Sequence, residues 1–321
     1  MKALMVAGLV TILSVVTAQA TTLNERLGFS PQDKVLLIHI DDIGAYSAVA
    51  PAARDVLNFG LAKSVSGLTP APAFEESLTD SKIVGEDFGV HITLTSEPRP
   101  TGWTPAAGSA AVPSLVDGKG HLLTSFWKLY MKADEADVRR EIEAQIQKAL
   151  ASGLRPTHLD THVGTVFFKK AWFEHYLSLA RKYRIAPMVP RWSQELKEQM
   201  GWLGTVMNFL VPGMLKKVGE AGFLQLDAIY ILPFPKKDIG YEARRQKYVD
   251  ILKNLKPGVS QIIIHPAGES SSPGENVRLY EAKIFQEPAI AELIREQGIH
   301  LIGWKQIADI YPWDEVREPE L

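Results

Sequence analysis

The sequence contains no cysteine. Disulfide frameworks, thiolate metal sites and thiol nucleophiles are therefore excluded, and stability has to come from a packed core. Positive charge is not in excess either: 35 Lys and Arg stand against 37 Asp and Glu, for a formal net charge of −2. With no basic surplus to neutralise phosphates, nucleic acid is not an expected partner. No long hydrophobic run follows the first twenty residues. In those twenty, Met1-Lys2 precede an apolar stretch that closes on Ala18-Gln19-Ala20. A short basic end, an apolar run and a small-residue exit read as a secretory signal. Residues 1–20 are thus expected to be removed, leaving an exported protein, periplasmic or secreted, with no stable membrane span. The alternative is a membrane anchor, for which the run is short.

Hydrophobic residues make up 46% of the chain, enough for a sizeable core. Short apolar, β-branched runs predict strands at 35–40, 64–68, 89–95, 157–162, 186–189, 228–232, 261–265 and 300–304. Helical patterns separate them. The clearest spans 134–150, which starts acidic and stops at Ser152-Gly153, and another spans 170–183. About eight strand–helix units, with no Gly-rich dinucleotide turn after the first strand, favour a single (β/α) barrel-like domain over 21–321. No internal repeat or low-complexity tract interrupts it. Two segments stand out as candidate substrate-side loops or insertions. Residues 98–120 are rich in Gly, Pro, Ala and Ser, and 191–226 includes an apolar stretch at 201–214. That stretch reads either as a buried helix or as a flap that covers substrate or touches lipid.

The polar residues fall where such a barrel puts its chemistry. Asp41-Asp42 closes the first strand, His91 lies on the third, and His265 ends the seventh. His158, Asp160 and His162 alternate along the fourth, so at a period of two they share one face. Parallel barrel strands converge at their C-terminal ends on one mouth, where active sites sit. Each feature also has an ordinary reading. Paired aspartates cap helices, and a lone histidine at a strand end is usually a satisfied polar residue. The His-Leu-Asp-Thr-His run is harder to set aside, because three polar groups buried on one face are costly without partners. His39 and His175 read as structural, His121 and His300 as loop or surface residues.

Four motifs together resemble a known family. Ile38-His39-Ile40-Asp41-Asp42-Ile43-Gly44, Gly89-Val90-His91-Ile92-Thr93-Leu94-Thr95, Pro156-Thr157-His158-Leu159-Asp160-Thr161-His162 and Ile264-His265-Pro266 occur in the order found in the YdjC-like carbohydrate deacetylases. The resemblance implies a metal-dependent hydrolase that removes N-acetyl or O-acetyl groups from an oligosaccharide or glycoconjugate. It implies Asp42, His91 and His162 as ligands of one divalent ion, Asp41 as catalytic base and His265 as acid. His158 and Asp160 would stand behind these groups and orient a ring. Two imidazoles and a carboxylate leave coordination positions open for catalysis. Nitrogen-rich ligation suits zinc, cobalt or nickel, and the resemblance also admits magnesium. The pattern departs from the family after His162, where Val163-Gly164-Thr165-Val166 follows in place of further histidines.

Trp103, Trp192 and Trp202 lie in the two long segments, and an indole face stacks on the apolar face of a sugar ring. Each also reads as a core residue. Three rival functions use the same cluster. His158-x-Asp160 with a distant histidine mimics the facial triad of an iron oxygenase. A metal-dependent phosphoesterase is the second, although no phosphate-binding Gly-rich loop lies near the motifs. An exported, non-catalytic sugar-binding barrel is the third.

Overall fold

The computed structural model describes residues 22–85, 87–98, 101–199, 208–209, 211–270 and 272–321. Its strands are β1 (Lys34–Ile43), β2 (Ser64–Gly67), β3 (Phe88–Ile92), β4 (His158–Thr161), β5 (Ala186–Pro187), β6 (Ala228–Ile231), β7 (Gly258–Ile264) and β8 (Ile299–Ile302). Each coincides with one of the predicted runs. The helices in chain order are α1 (Leu23–Arg26), α2 (Val49–Phe59), α3 (Phe74–Ser77), α4 (Phe126–Lys132), α5 (Glu135–Ala151) and α6 (Lys170–Tyr183). They continue as α7 (Gln194–Gln199), α8 (Val211–Glu220), α9 (Tyr241–Lys253), α10 (Asn276–Ile284), α11 (Pro288–Glu296) and α12 (Trp304–Asp309). No helix among the described residues is long and apolar enough to cross a membrane.

All strand pairings are parallel, in the order β5-β4-β3-β2-β1-β7-β6 with β8 also against β1. β1 manages three neighbours by dividing one edge. Lys34 to Leu37 pair with β8, while His39 and Ile40 pair with Ser64 and Val65 of β2. Beyond Ile40 the register with β2 shifts. Among the described residues, β5 and β6 are joined by one parallel bridge, Pro190 to Leu226. Two backbone bonds hold it, Leu226 N to Val189 O at 2.9 Å and Arg191 N to Leu226 O at 2.8 Å. The sheet thereby curls into the barrel-like domain that the strand–helix alternation predicts. Its central strands are buried on both faces, as a parallel sheet covered by helices requires.

Local chemistry sets the helix ends. Asp134 caps α5 by accepting from Ala136 N at 2.9 Å, a contribution of about 1 kcal/mol. Val138, Ile142, Ile146 and Ala149 form the buried stripe of α5. The same helix ties down part of the 98–120 segment. Glu141 accepts from the backbone N–H groups of Ala106 and Ala107 at 2.9 and 3.0 Å, and Asp137 accepts from Ser114 N at 3.0 Å. Beyond Pro98, the described residues of this segment pack back onto α5 and do not reach the cleft.

Candidate metal centre and active site

The chemistry-bearing side chains meet at the C-terminal ends of β1, β3, β4 and β7, on the floor of a cleft of about 890 Å³. Adjacent residues of a regular strand point to opposite faces, yet Asp41 and Asp42 both line this cleft. The backbone at Asp42 resolves the conflict. It is left-handed, with φ of 68°, at the point where β1 slips register against β2. Aspartate tolerates this region better than most residues. Gly44, two residues on, also has a positive φ, and a Cβ there would lie 2.6 Å from Phe74 Cα. The Asp-Asp-x-Gly spacing is therefore a backbone requirement as well as a source of carboxylates.

Asp42, His91 and His162 present atoms that converge on one point. Asp42 Oδ1 lies 3.5 Å from His91 Nε2 and 3.3 Å from His162 Nδ1. This oxygen is buried and has no hydrogen-bond partner, which is costly unless a cation or donor completes the site. Asp42 Oδ2 accepts from Arg278 Nη2 at 2.8 Å. Burial would raise the Asp42 carboxyl, but Arg278, His162 and His265 outweigh it and hold it well below the usual carboxylate range. Asp160 stands behind His91. Its Oδ1 accepts from His91 Nδ1 at 2.7 Å, and its Oδ2 accepts from Ser66 Oγ at 2.8 Å. With Nδ1 engaged by Asp160, Nε2 of His91 faces Asp42 and is the nitrogen left to bind an ion once its proton is displaced, the arrangement expected of a metal-ligating ring. The donor set of two imidazoles and one carboxylate fits a divalent ion.

Two other clusters of acidic and imidazole groups lie close by, His39–His158–Asp160 and Asp41–His91–Asp160. The second is already occupied by the Asp160–His91 bond. The first lies below the cleft and is committed to internal hydrogen bonds. His39 contacts Asp41 Oδ1 through Nδ1 at 2.7 Å and His158 Nε2 through its own Nε2 at 2.7 Å. Burial opposes charge on His39, yet its bond to Asp41 and the nearby carboxylates raise its pKa. Burial and His39 push His158 well below the ordinary value, so that ring is neutral. His39 then donates to both partners, and His158 Nδ1 donates to Thr157 Oγ1 at 2.9 Å. Gly89 makes room for this, since a Cβ there would lie 2.3 Å from His158 Nε2.

Several sequence readings need correction. His39, read as structural, is fully buried and positions Asp41 through its Nδ1. His158 is fully buried with both ring nitrogens bonded, so the facial triad built on His158-x-Asp160 does not form at the cleft. Trp103 is 1% exposed and packs 5.5 Å, ring to ring, from His162, so it backs a candidate ligand and has no face free for a sugar. Trp192 does line the cleft, with its Nε1 donating to Asn208 Oδ1 at 2.9 Å. Trp202 lies outside the described residues.

His265 Nε2 lies 4.0 Å from Asp41 Oδ2, which is 3.7 Å from His91 Nε2. Burial lowers the His265 pKa against the pull of Asp42, Asp41 and Glu281, so the resting ring is neutral. Glu281 fixes its backbone, accepting from His265 N at 2.6 Å. Glu281 is itself paired with buried Arg244 and bonded by Tyr248. Arg278 and Glu281 both come from α10, which lies just after β7, and the sequence reading passed over both.

The charge balance of the triad carries a pH dependence. Burial opposes the charged form of His91, but Asp160, Asp41 and Asp42 hold its pKa up at about 10 in the metal-free protein. A raised folded pKa stabilises fully below the unfolded value of about 6.5 and is lost as pH rises through about 10. A metal must displace this proton. Affinity for a divalent ion is therefore expected to rise with pH up to about 10, with proton release on binding. Calorimetric titration in buffers of different ionisation enthalpy measures that release. Binding without proton release, at an affinity independent of pH, would contradict it.

Residues 35–296 match the YdjC-like protein family. A protein of Thermus thermophilus named carbohydrate deacetylase is 32% identical over 292 residues, covering 89% of this chain and 97% of its own length. Another of that name, from Enterococcus faecalis, is 27% identical over 286 residues, covering 86% and 99%. A crystal structure from Enterococcus faecalis, of a protein proposed to cleave cellobiose phosphate, superposes with a TM-score of 0.67 at 26% identity. It covers 86% of this chain and 99% of its own. With the family match spanning most of the barrel and all four motifs inside it, this chain belongs to the YdjC-like family.

Proposed function

We propose that this chain is a metal-dependent carbohydrate deacetylase that hydrolyses the N-acetyl group of an amino sugar. One observation carries the reading. A buried, unpartnered carboxylate oxygen of Asp42 faces His91 Nε2 and His162 Nδ1, with Asp41 and His265 alongside on the same cleft floor. When bound there, a divalent ion supplies Lewis acidity toward an acyl oxygen and toward water. The protein's own residues do the rest. Asp41, held through Oδ1 by His39, keeps Oδ2 toward the cleft and accepts the proton of the attacking water. His265 starts neutral, receives that proton from Asp41, whose Oδ2 lies 4.0 Å from its Nε2, and gives it to the sugar nitrogen as the C–N bond breaks and acetate leaves. Arg278 holds Asp42 Oδ2 and leaves Oδ1 for the ion. The nitrogen-rich donor set favours zinc, cobalt or nickel over magnesium.

The name shared by the curated relatives supports the carbohydrate and the acetyl group. The N-terminal pattern supports export, to the periplasm or outside the cell. One preparation tests both. Protein recovered from the exported fraction should begin at about Thr21 by mass spectrometry. It should release acetate from methyl N-acetyl-β-glucosaminide, stop on chelation, and recover with added divalent metal. Acetate release only from O-acetylated sugars would correct the bond, and release undiminished by chelation would remove the metal.

A further inference from the structure

Asp41 is one end of a hydrogen-bonded chain that crosses the barrel. Its Oδ1 is bonded to His39 Nδ1 at 2.7 Å, and His39 Nε2 to His158 Nε2 at 2.7 Å. His158 Nδ1 lies 2.9 Å from Thr157 Oγ1, which in turn donates to Asp87 Oδ1 at 2.8 Å. Asp41 sits near the C-terminal end of β1, on the cleft, whereas Asp87 immediately precedes β3. With all strands parallel, the two carboxylates stand at opposite ends of the barrel. Asp87 lines a separate cleft of about 580 Å³ there. Between the two ends, the His39 and His158 rings have no exposed surface. Bulk water cannot take the place of a lost partner, so protein groups alone set where the ring protons lie.

The far end fixes the sense of each bond. Trp304 N, a donor only, donates to Ser64 Oγ at 2.8 Å, and Ser64 Oγ gives its own proton to Asp87 Oδ2 at 2.6 Å. A carboxylate only accepts, so Thr157 spends its single hydroxyl proton on Asp87 Oδ1. The Thr157 oxygen then accepts from His158 Nδ1, which leaves the His158 lone pair at Nε2. His39 Nε2 donates to that lone pair, and its Nδ1 donates to the Asp41 carboxylate. Asp160 Oδ2, at 3.7 Å from His39 Nε2, is too distant to take over. Room for the far carboxylate is built in, since a Cβ at Gly303 would lie 2.2 Å from Asp87 Oδ2.

We infer that Asp87 is a positioning residue for Asp41. Acting through Thr157, His158 and His39, it holds His158 as the Nδ1–H tautomer and makes His39 a donor on both sides. Asp41 Oδ1 thereby stays engaged and Oδ2 stays free for the cleft. The part of Asp41 in proton transfer rests on the deacetylase reading, whereas the order of donors rests on the chain of bonds alone.

Asp87→Asn tests it, because an amide brings a donor of its own to Thr157. The Thr157 hydroxyl is then released to donate to His158 Nδ1, and His158 carries its proton on Nε2, against His39. Nitrogen-15 spectra of the zinc-loaded, histidine-labelled protein read this directly, with His158 identified by its loss in His158→Gln. The parent protein should show His158 protonated at Nδ1, and Asp87→Asn should move that proton to Nε2. With methyl N-acetyl-β-glucosaminide, kcat should fall about tenfold as a charge-assisted bond to Asp41 becomes a neutral one. KM and metal content should not change. Thr157→Val, which cuts the chain, should lose kcat similarly, and Thr157→Ser, which keeps the hydroxyl, should retain it. An unchanged His158 tautomer or an unchanged kcat in Asp87→Asn overturns the inference. If circular dichroism shows Asp87→Asn unfolded, the Thr157 pair decides, and equal kcat in Thr157→Val and Thr157→Ser overturns it. No acetate from the parent protein removes the deacetylase reading instead, and the tautomer comparison then decides the positioning on its own.

Discussion

His162→Ala, and separately His91→Ala, should lose metal and turnover together. Elemental analysis of protein purified without added metal should fall from about one equivalent to near none, because a three-ligand site loses a third of its protein donors. The two variants report on different elements. His91 is held on β3 by Asp160, whereas His162 follows β4 at the start of a 3-10 turn and rests against Trp103. Equal loss from both would identify the ion site with the point where they meet. His158→Ala should keep its metal, because that ring is bonded below the cleft to His39 and Thr157. Full metal in either His91→Ala or His162→Ala, with circular dichroism unchanged, would remove the assignment.

Asp41→Asn is expected to keep the ion and lose turnover by roughly a hundredfold or more, as for the removal of a general base. Asp42→Asn should do the reverse, losing the ion first. The pair is a fair comparison because asparagine, like aspartate, tolerates the left-handed backbone at position 42. Neither substitution then breaks the turn that brings both side chains to the cleft. Metal lost from Asp41→Asn and retained in Asp42→Asn would exchange the two roles. His39→Leu should lower kcat while leaving metal content intact, since His39 reaches the chemistry through Asp41 Oδ1.

The sequence made the strands legible because a parallel sheet covered on both faces needs short, uniformly apolar runs, and 35–40 and 261–265 have that form. Asp134 and Gly153 marked the ends of α5 for equally local reasons. The candidate cluster was legible because Asp42, His91 and His162 fall at the ends of strands of one barrel. What alternation could not supply was depth. His158, Asp160 and His162 share a face, but His158 bonds within the core, Asp160 backs His91 and His162 reaches the cleft. The resemblance to a family gave the roles, not the spacing.

Arg278 and Glu281 escaped notice because charges three apart on a helix usually form its solvated face. A signal was nonetheless present. Val277, Arg278, Glu281 and Ile284 fall on the buried side of α10, so both charges sit in its apolar stripe. Trp103 misled for the opposite reason. A tryptophan in a Gly- and Pro-rich segment looked free to stack, but α5 ties that segment down through Asp137 and Glu141.

The bridge between Pro190 and Leu226 also bears on how such a barrel can diversify. β1, β3 and β4 are each paired along both edges, so a change of length beside them would shift the register of Asp42, His91 or His162. Among the described residues the β5–β6 seam rests on two backbone bonds, at Val189–Arg191 and Leu226, the two ends of the intervening segment. Insertions, deletions or wholesale replacement there would leave every ladder on the ligand side untouched. On the proposed function, a change at the seam would alter what the cleft admits while the strands that carry the candidate ligands keep a fixed frame.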